Sequence, residues 1–201
     1  MSSEIRISNV LQTILYRLSP RLAESSGKAL LANLRNSIGR SPGETTEIWA
    51  WLFEYLPKDF LSKGSELSCA EKAILNSLQL FALYQQGSAK PLGPAPAGPY
   101  ENMGTALSCL RMEGSQEAAD RRFNVLITSS TYDELFYHLR QMIKLLKARQ
   151  KGSVGIDFAR LGEDLYAFAL GHEEGVRLRW AREYYRNRKE NKESDGKENE
   201  K

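Results

Sequence analysis

The chain has 201 residues, of which 41% are apolar and 26% are charged, and its formal net charge is +3. This composition predicts a folded protein with a sizeable core, and it argues against both a disordered chain and a polycation. Any nucleic-acid binding must therefore come from local clusters of cations. No apolar run reaches the about 20 residues that span a bilayer, and the N-terminus does not have the pattern of a signal peptide. We therefore expect a cytoplasmic protein without a membrane segment.

The first half of the chain has the apolar spacing of helices. Residues 5–18, 27–38 and 46–56 each carry apolar side chains three and four positions apart, which places them on one helical face. Pro57 ends the third of these helices, because proline has no backbone N–H to continue the hydrogen-bond pattern.

A fourth helix is predicted from its first turn. Ser68 and Glu71 have the spacing of a capping box, in which each side chain binds the backbone N–H of the other residue. The helix that follows ends near Gly87. Residues 89–101 lie in a stretch rich in proline and glycine, which predicts a surface linker.

The second half also reads as helices. Thr131 and Glu134 form another capping box, which opens a long helix, and Asp157 is placed to cap the next one. Shorter apolar segments precede the long helix, with apolar residues at Met103, Leu107, Leu110, Phe123, Leu126 and Ile127. A final helix has apolar residues at Val176, Trp180 and Tyr184.

These patterns predict an all-α protein of two packed helical subdomains. The N-terminal subdomain covers residues 1–88, residues 89–101 form the linker, and the C-terminal subdomain covers residues 102–186. The tail, residues 187–201, contains no apolar residue and mixes both signs of charge, so we expect it to be disordered.

No set of residues has the spacing of a catalytic or metal site. The two histidines, His138 and His172, have no partner at the spacing of a catalytic triad or metal site, and the two cysteines do not form a CxxC pair. Glu163 and Asp164 are adjacent, so on a helix they point about 100° apart. The sequence therefore predicts no catalytic residue, no metal ligand and no cofactor, although a metal-dependent nuclease stays open as a third hypothesis.

Basic residues are concentrated in one part of the chain. Seven cations lie between Arg121 and Lys151, against only two carboxylates. Arg140, Lys144 and Lys147 are spaced by four and three, so they form a stripe on one helix. A line of cations matches the line of phosphates in a nucleic-acid backbone. The plainer interpretation, a basic stripe that only keeps the helix solvated, stays open.

Two further groups are candidates for binding. Lys28, Arg35 and Arg40 could give the N-terminal half a basic edge of its own. In the last helix Trp180, Tyr184 and Tyr185 lie among arginines, where aromatics could anchor a partner protein. The helical spacing of Trp180 and Tyr184 favours a place in the core instead. A helical protein–protein adaptor without nucleic-acid contact is therefore the alternative function.

Four segments, taken in order, resemble the CasB family, the small subunit of the type I-E CRISPR Cascade complex. They cover roughly residues 25–186, and each by itself is largely an amphipathic helix. The segments are ALLANLRNSIGRSPGE with IWAWLFEYLP, SCAEKAILNSLQLFALYQQG, DRRFNVLITSSTYDELFYHLRQMIKLL, and IDFARLGEDLYAF with VRLRWAREYY.

The resemblance implies an all-helical, non-catalytic subunit for antiviral defence that is both RNA-binding and DNA-binding. Its expected partners are the other Cascade subunits, including the large subunit and a second copy of itself, the CRISPR RNA, and the target and displaced DNA of the R-loop. Family members often have two adjacent cations where this chain has Arg35 and Asn36. The cations expected to contact nucleic acid are Arg35, Arg40, Arg121, Arg122, Arg140, Lys144 and Lys147.

Overall fold

The computed structural model describes residues 6–88, 102–112, 114–151 and 153–186. The predicted linker, residues 89–101, and the predicted tail, residues 187–201, lie outside the described residues. Within those ranges the chain forms α-helices and short 3-10 turns and contains no strand, so the all-α prediction is confirmed.

The described residues form nine α-helices, which are numbered here in chain order. Their bounds are α1 Ile7–Leu18, α2 Ser25–Asn36, α3 Thr46–Phe53, α4 Cys69–Gln85, α5 Met103–Ser108, α6 Gln116–Ile127, α7 Tyr132–Gln150, α8 Phe158–Ala169 and α9 Glu173–Arg186. No helix in the described ranges is long and apolar enough to cross a membrane.

The predicted helix starts are made by the predicted residues. The Ser68 hydroxyl accepts from the Glu71 amide at 3.0 Å, and the Glu71 carboxylate accepts from the Ser68 amide at 2.7 Å, which completes the capping box of α4. The Asp157 carboxylate accepts from two amides of the first turn of α8. At α7 the Thr131 hydroxyl caps the helix, but the Glu134 carboxylate binds the amide of the preceding residue, Ser130, at 2.8 Å.

Helix α4 lies at the centre of the fold. Every residue from Ala70 to Gln85 is buried except Lys72, so this helix has almost no solvent face. Helices α8, α2 and α7 pack around it, and α8 also packs against α1. Because helices from both sides of residue 88 contribute to these contacts, the two halves are packed together. Their assignment to separate subdomains stays a prediction.

A series of hydrogen-bonded polar side chains crosses this core. The Tyr132 hydroxyl on α7 donates to the Asn76 amide oxygen at 3.0 Å, and the Asn76 amide donates to Gln79 at 2.8 Å. The Gln79 amide in turn donates to the hydroxyl of Ser37, next to the end of α2, at 2.8 Å. Buried polar groups without partners lower the stability of a protein. These hydrogen bonds therefore fix the positions of α2 and α7 on α4.

Helix α8 is also fixed to α1. The Glu163 carboxylate accepts from the amide of Ser8 at 2.9 Å, which satisfies a free N–H in the first turn of α1. Gly162 allows the close approach, because a Cβ at this position would lie 2.0 Å from a methyl carbon of Leu11.

Helix α9 is held by a buried carboxylate. The two oxygens of Asp164 accept from the Arg179 guanidinium at 2.5 Å and from the Trp180 indole at 2.6 Å. Burial raises the pKa of Asp164 above its ordinary value, and these two hydrogen bonds oppose the shift. On the other side of α9, Gly104 of α5 meets the backbone of Trp180, where a Cβ would lie 2.0 Å from the carbonyl oxygen.

A pair of glycine substitutions tests this packing. We expect Gly104→Ala to lower the free energy of unfolding by about 1–3 kcal/mol, because the added methyl forces α5 away from the backbone of α9. The matched control is Gly175→Ala within α9, where the Cβ would be 3.4 Å from the tip of the Arg179 side chain. Alanine should stabilise the helix there by up to about 1 kcal/mol. Equal unfolding curves for the two variants would contradict the close approach of α5 and α9.

Candidate nucleic-acid interface

The structure distributes the seven predicted cations over three helices and one turn. Arg35 lies at the end of α2 and Arg40 in the turn that follows it. The other five lie on two helices that pack against each other: Arg121 and Arg122 on α6, and Arg140, Lys144 and Lys147 on α7.

Arg35 and Lys147 come together at the C-terminal end of α4. The Lys147 ammonium donates to the carbonyl of Leu83 at 3.0 Å, and the Arg35 guanidinium donates to the carbonyl of Ala82 at 3.4 Å. Both carbonyls belong to the last turn of a helix, where the backbone has no partner of its own and carries partial negative charge. These two cations, which are half-buried, therefore cap the central helix.

The positions of Arg35 and Lys147 make their charged forms less favourable than they are in water. Burial lowers the pKa of Lys147, and the charge of Arg35 lowers it further. Burial also lowers the pKa of Arg35. A nearby anion would favour the charged forms of both side chains.

Arg140 and Lys144 belong to the same predicted stripe but differ in their surroundings. Lys144 is exposed, and no ion pair or hydrogen bond of its side chain is seen among the described residues. Arg140 is half-buried, and its buried Nε has no hydrogen-bond partner in the described structure. Replacing Arg140 would therefore disturb packing as well as charge.

Arg121 and Arg122 lie on the outer face of α6, and both are exposed. Arg121 makes only a loose pair with Glu117, at 3.7 Å, between two largely exposed side chains. Arg122 donates to the carbonyl of Ala118 on its own helix at 3.4 Å. Exposed pairs of this kind contribute little, so both guanidinium groups can turn to an incoming phosphate at small cost.

Arg40 differs from the other six cations because a carboxylate, Glu44, lies near it. Its charge helps to lower the pKa of Glu44, although the hydrogen bonds from Ser41 to that carboxylate contribute more. The positive charge of Arg40 is thus partly offset by an adjacent carboxylate.

The sequence interpretation missed a buried arginine. The Arg111 guanidinium binds both oxygens of Asp120, at 2.7 and 3.1 Å, and lies 5.2 Å from the ring centres of Tyr184 and Tyr185. The Tyr184 ring also stacks on Phe123, with centroids 3.6 Å apart. Arg111 lies in the loop after α5 and Asp120 within α6, nine positions apart, so no spacing rule reveals the pair.

The aromatic residues of α9 are mostly core residues. Trp180 and Tyr184 are fully buried, which confirms their predicted place in the core and makes them wrong as anchors for a partner protein. Tyr185 is 39% exposed, and its hydroxyl donates to Asn124 of α6 at 2.8 Å.

The acidic residues and histidines do not converge on one point. Glu163 binds the start of α1 and Asp164 binds α9, so these adjacent carboxylates diverge as predicted. His138 lies 4.0 Å from Glu134 on its own helix. In the part of the chain that the structure describes, no three His, Cys, Asp or Glu side chains are grouped closely enough to hold a metal ion.

Comparison with known proteins identifies the family. A family model described as CRISPR-associated protein Cse2 matches residues 30–185, which is most of the chain. The chain belongs to the Cse2 family. This family is the CasB family of type I-E CRISPR systems, so the resemblance drawn from the four helical segments is confirmed.

Individual relatives agree with this assignment. A Cse2 protein from Thermus thermophilus is 36% identical over 85 residues, which is 41% of this chain and 46% of that protein. The matched segment thus spans about half the length of this curated relative.

Two crystal structures share the fold. CasB from Thermobifida fusca superposes with a TM-score of 0.70 at 21% identity, over 89% of this chain and 97% of that one. A Cse2-family protein from Thermus thermophilus gives a TM-score of 0.61 at 26% identity, over 87% and 97% of the two chains.

Replacing the two lysines of α7 one at a time should change the stability of the protein by different amounts. Lys147→Met should lower the free energy of unfolding by about 1 kcal/mol, because the end of α4 loses a charged donor. Lys144→Met, which makes the same change at an exposed position of the same helix, should alter it by less than about 0.5 kcal/mol. Denaturant unfolding of both variants measures the difference. A larger loss in the Lys144 variant would contradict the capping role.

Proposed function

We propose that the chain is the non-catalytic small subunit of a type I-E CRISPR Cascade complex and stabilises the R-loop in antiviral defence. It would do so by contacting the backbones of the CRISPR RNA and of the target and displaced DNA. Membership of the Cse2 family carries this proposal. The proposed protein partners are the other Cascade subunits, including the large subunit and a second copy of this chain.

The exposed cations on α6 and α7 supply the first part of the physical argument. Arg121, Arg122 and Lys144 lie on neighbouring helices and have few competing partners. Each phosphate they neutralise releases counterions from the nucleic acid, which favours binding without reference to sequence. Because these cations are on helices, the backbone is already ordered, and binding would restrict only the side chains.

The capped end of α4 supplies a second contact point. An ammonium has three donors and a guanidinium five, and Lys147 and Arg35 each use one on a helix carbonyl. Their remaining donors can bind a phosphate while the cap stays in place. Arg140 belongs to the same helix face as Lys147, whereas Arg40, beside Glu44, is the weakest of the seven proposed contacts.

This mode of binding assigns sequence recognition to the guide. Contacts to phosphates carry no base information, so the protein would hold the shape of the R-loop while base pairing selects the target. The proposal assigns no chemical reaction to this chain.

Salt dependence tests the proposed backbone contacts. The complex is assembled from all its protein subunits and guide RNA, with either wild-type chain or the double variant Arg122→Gln/Lys144→Gln. We expect the variant to bind target DNA more weakly for every target sequence. The plot of log affinity against log salt should flatten by roughly 1.4–1.8, because each lost phosphate contact contributes about 0.7–0.9.

The control is Lys58→Gln/Lys63→Gln, which removes the same charge from exposed residues outside α6 and α7. It should leave the slope unchanged. Subunit content and thermal unfolding are measured for every complex. Full affinity of the Arg122/Lys144 variant at all salt concentrations would overturn the proposed contacts, and weaker binding at an unchanged slope would indicate a lost protein contact instead.

A further inference from the structure

The aromatic side chains of helix α3 lie outside the stripe of residues that it buries in the core. Its buried side chains are Ile48 and Leu52, which form one narrow stripe, and the helix packs mainly against α2. Two aromatic pairs flank this stripe. Trp51 and Tyr55 have ring centroids 5.5 Å apart, with the Arg17 guanidinium of α1 over the Tyr55 ring.

The second pair faces outward. Phe53 stacks on Trp49 with centroids 5.4 Å apart and an angle of 30° between the rings, and Phe53 remains 45% exposed. A stacked pair holds Phe53 in a defined orientation although part of its ring is in water. A partner that covers this ring therefore loses little side-chain freedom and gains the burial of apolar area.

Carboxylates lie beside this exposed ring. Glu47, Ala50 and Glu54 are exposed and share one helical face, with the small Ala50 between the two acidic residues. Neither carboxylate has a cation within 4.0 Å among the described residues, in contrast to Glu117 and Glu174 elsewhere. Residues 40–59 as a whole contain four carboxylates against one arginine and one lysine.

A third carboxylate adds to the negative charge, although Arg40 beside it offsets part of that charge. Glu44 lies in the turn just before α3 and accepts from the hydroxyl and the amide of Ser41, at 2.7 and 2.9 Å. These hydrogen bonds lower its pKa, so it stays ionised. The α3 face, defined as Glu44, Glu47, Ala50, Phe53 and Glu54, thus combines carboxylates with an exposed aromatic ring at its edge.

This chemistry selects the class of partner. Phosphates are repelled by carboxylates, so nucleic acid does not fit the α3 face. Proteins that hold RNA or DNA present lysines and arginines, and such a surface with an apolar recess is complementary to an exposed phenyl ring beside carboxylates. We infer that the α3 face docks onto the basic, apolar surface of a different protein subunit of the assembly. This inference rests on the proposed Cascade membership, but it uses none of the cations assigned to nucleic acid.

Zero-length carbodiimide crosslinking tests the contact, because it joins a carboxylate only to an amine that touches it. The full complex is assembled from all its protein subunits and guide RNA, purified through a tag on another subunit, crosslinked and analysed by mass spectrometry. We expect Glu47 or Glu54 to be joined to lysines of another protein. Crosslinks to lysines of a second copy of this chain alone would overturn the choice of partner.

Matched variants measure how much the α3 face contributes. Phe53→Ser and Glu54→Lys should each reduce incorporation of the chain into the purified complex by about tenfold, as expected for a residue at the centre of an interface. The controls are Tyr16→Ser, which removes an 83% exposed aromatic ring from α1, and Glu66→Lys, which reverses an exposed charge outside α3. Both controls should incorporate like wild type, and all four variants should keep the wild-type melting temperature to within a few degrees.

The outcomes separate this inference from the proposed function. Normal incorporation of both α3 variants, in a complex that contains the chain and binds target DNA, would overturn the α3 contact alone. Failure of the wild-type chain to enter the complex would overturn the proposed function and this inference with it. Failure of the Arg122/Lys144 salt test, together with loss of the α3 variants, would leave the docking contact standing.

Discussion

The fold depends on a helix that has almost no solvent face. Because α4 is buried along its length, the polar groups at its ends need partners from neighbouring residues. At the start the capping box of Ser68 and Glu71 does so, and at the end Arg35 and Lys147 reach in from α2 and α7. The polar side chains of its middle turns bind to one another and to the same two neighbours. Helices α2 and α7 are therefore held to α4 by hydrogen bonds as well as by apolar packing.

This arrangement places positive charge at the surface for a structural reason. A buried helix ends in partial negative charge, and the cations that neutralise it stand half in water. Arg35 and Lys147 each keep further donors beyond the one bound to α4. Folding and the proposed binding would thus draw on the same side chains here, whereas Arg121 and Arg122 make only exposed contacts within α6.

The sequence predicted the helices well, because their signals are local. The caps at Ser68, Thr131 and Asp157 depend on residues within one turn, and all three side chains cap their helices. The predicted capping box at α7 is wrong in one half, because Glu134 binds the amide of Ser130 and not that of Thr131. The basic stripe on α7 was predicted from spacing, but spacing within one helix cannot tell which residue meets a neighbour. Lys144 and Lys147 therefore looked equivalent, although only Lys147 reaches the end of α4. The pairing of Arg111 with Asp120 joins the loop after α5 to α6, and no helical spacing indicates it. Trp49 and Phe53 are four positions apart on α3, but their spacing does not tell that Phe53 remains partly exposed.

The positions of the tryptophans have a practical consequence. The chain has three, and they divide between two sites: Trp49 and Trp51 lie half-buried on α3, and Trp180 of α9 is buried with its indole bound to Asp164. Indole emission responds to local polarity and to nearby charge. Covering the proposed α3 face would alter Trp49 directly, because it stacks on Phe53, whereas phosphates bound along α6 and α7 would leave both tryptophans of α3 in the same solvent. The intrinsic fluorescence of the unlabelled protein therefore offers a way to tell the two proposed contacts apart.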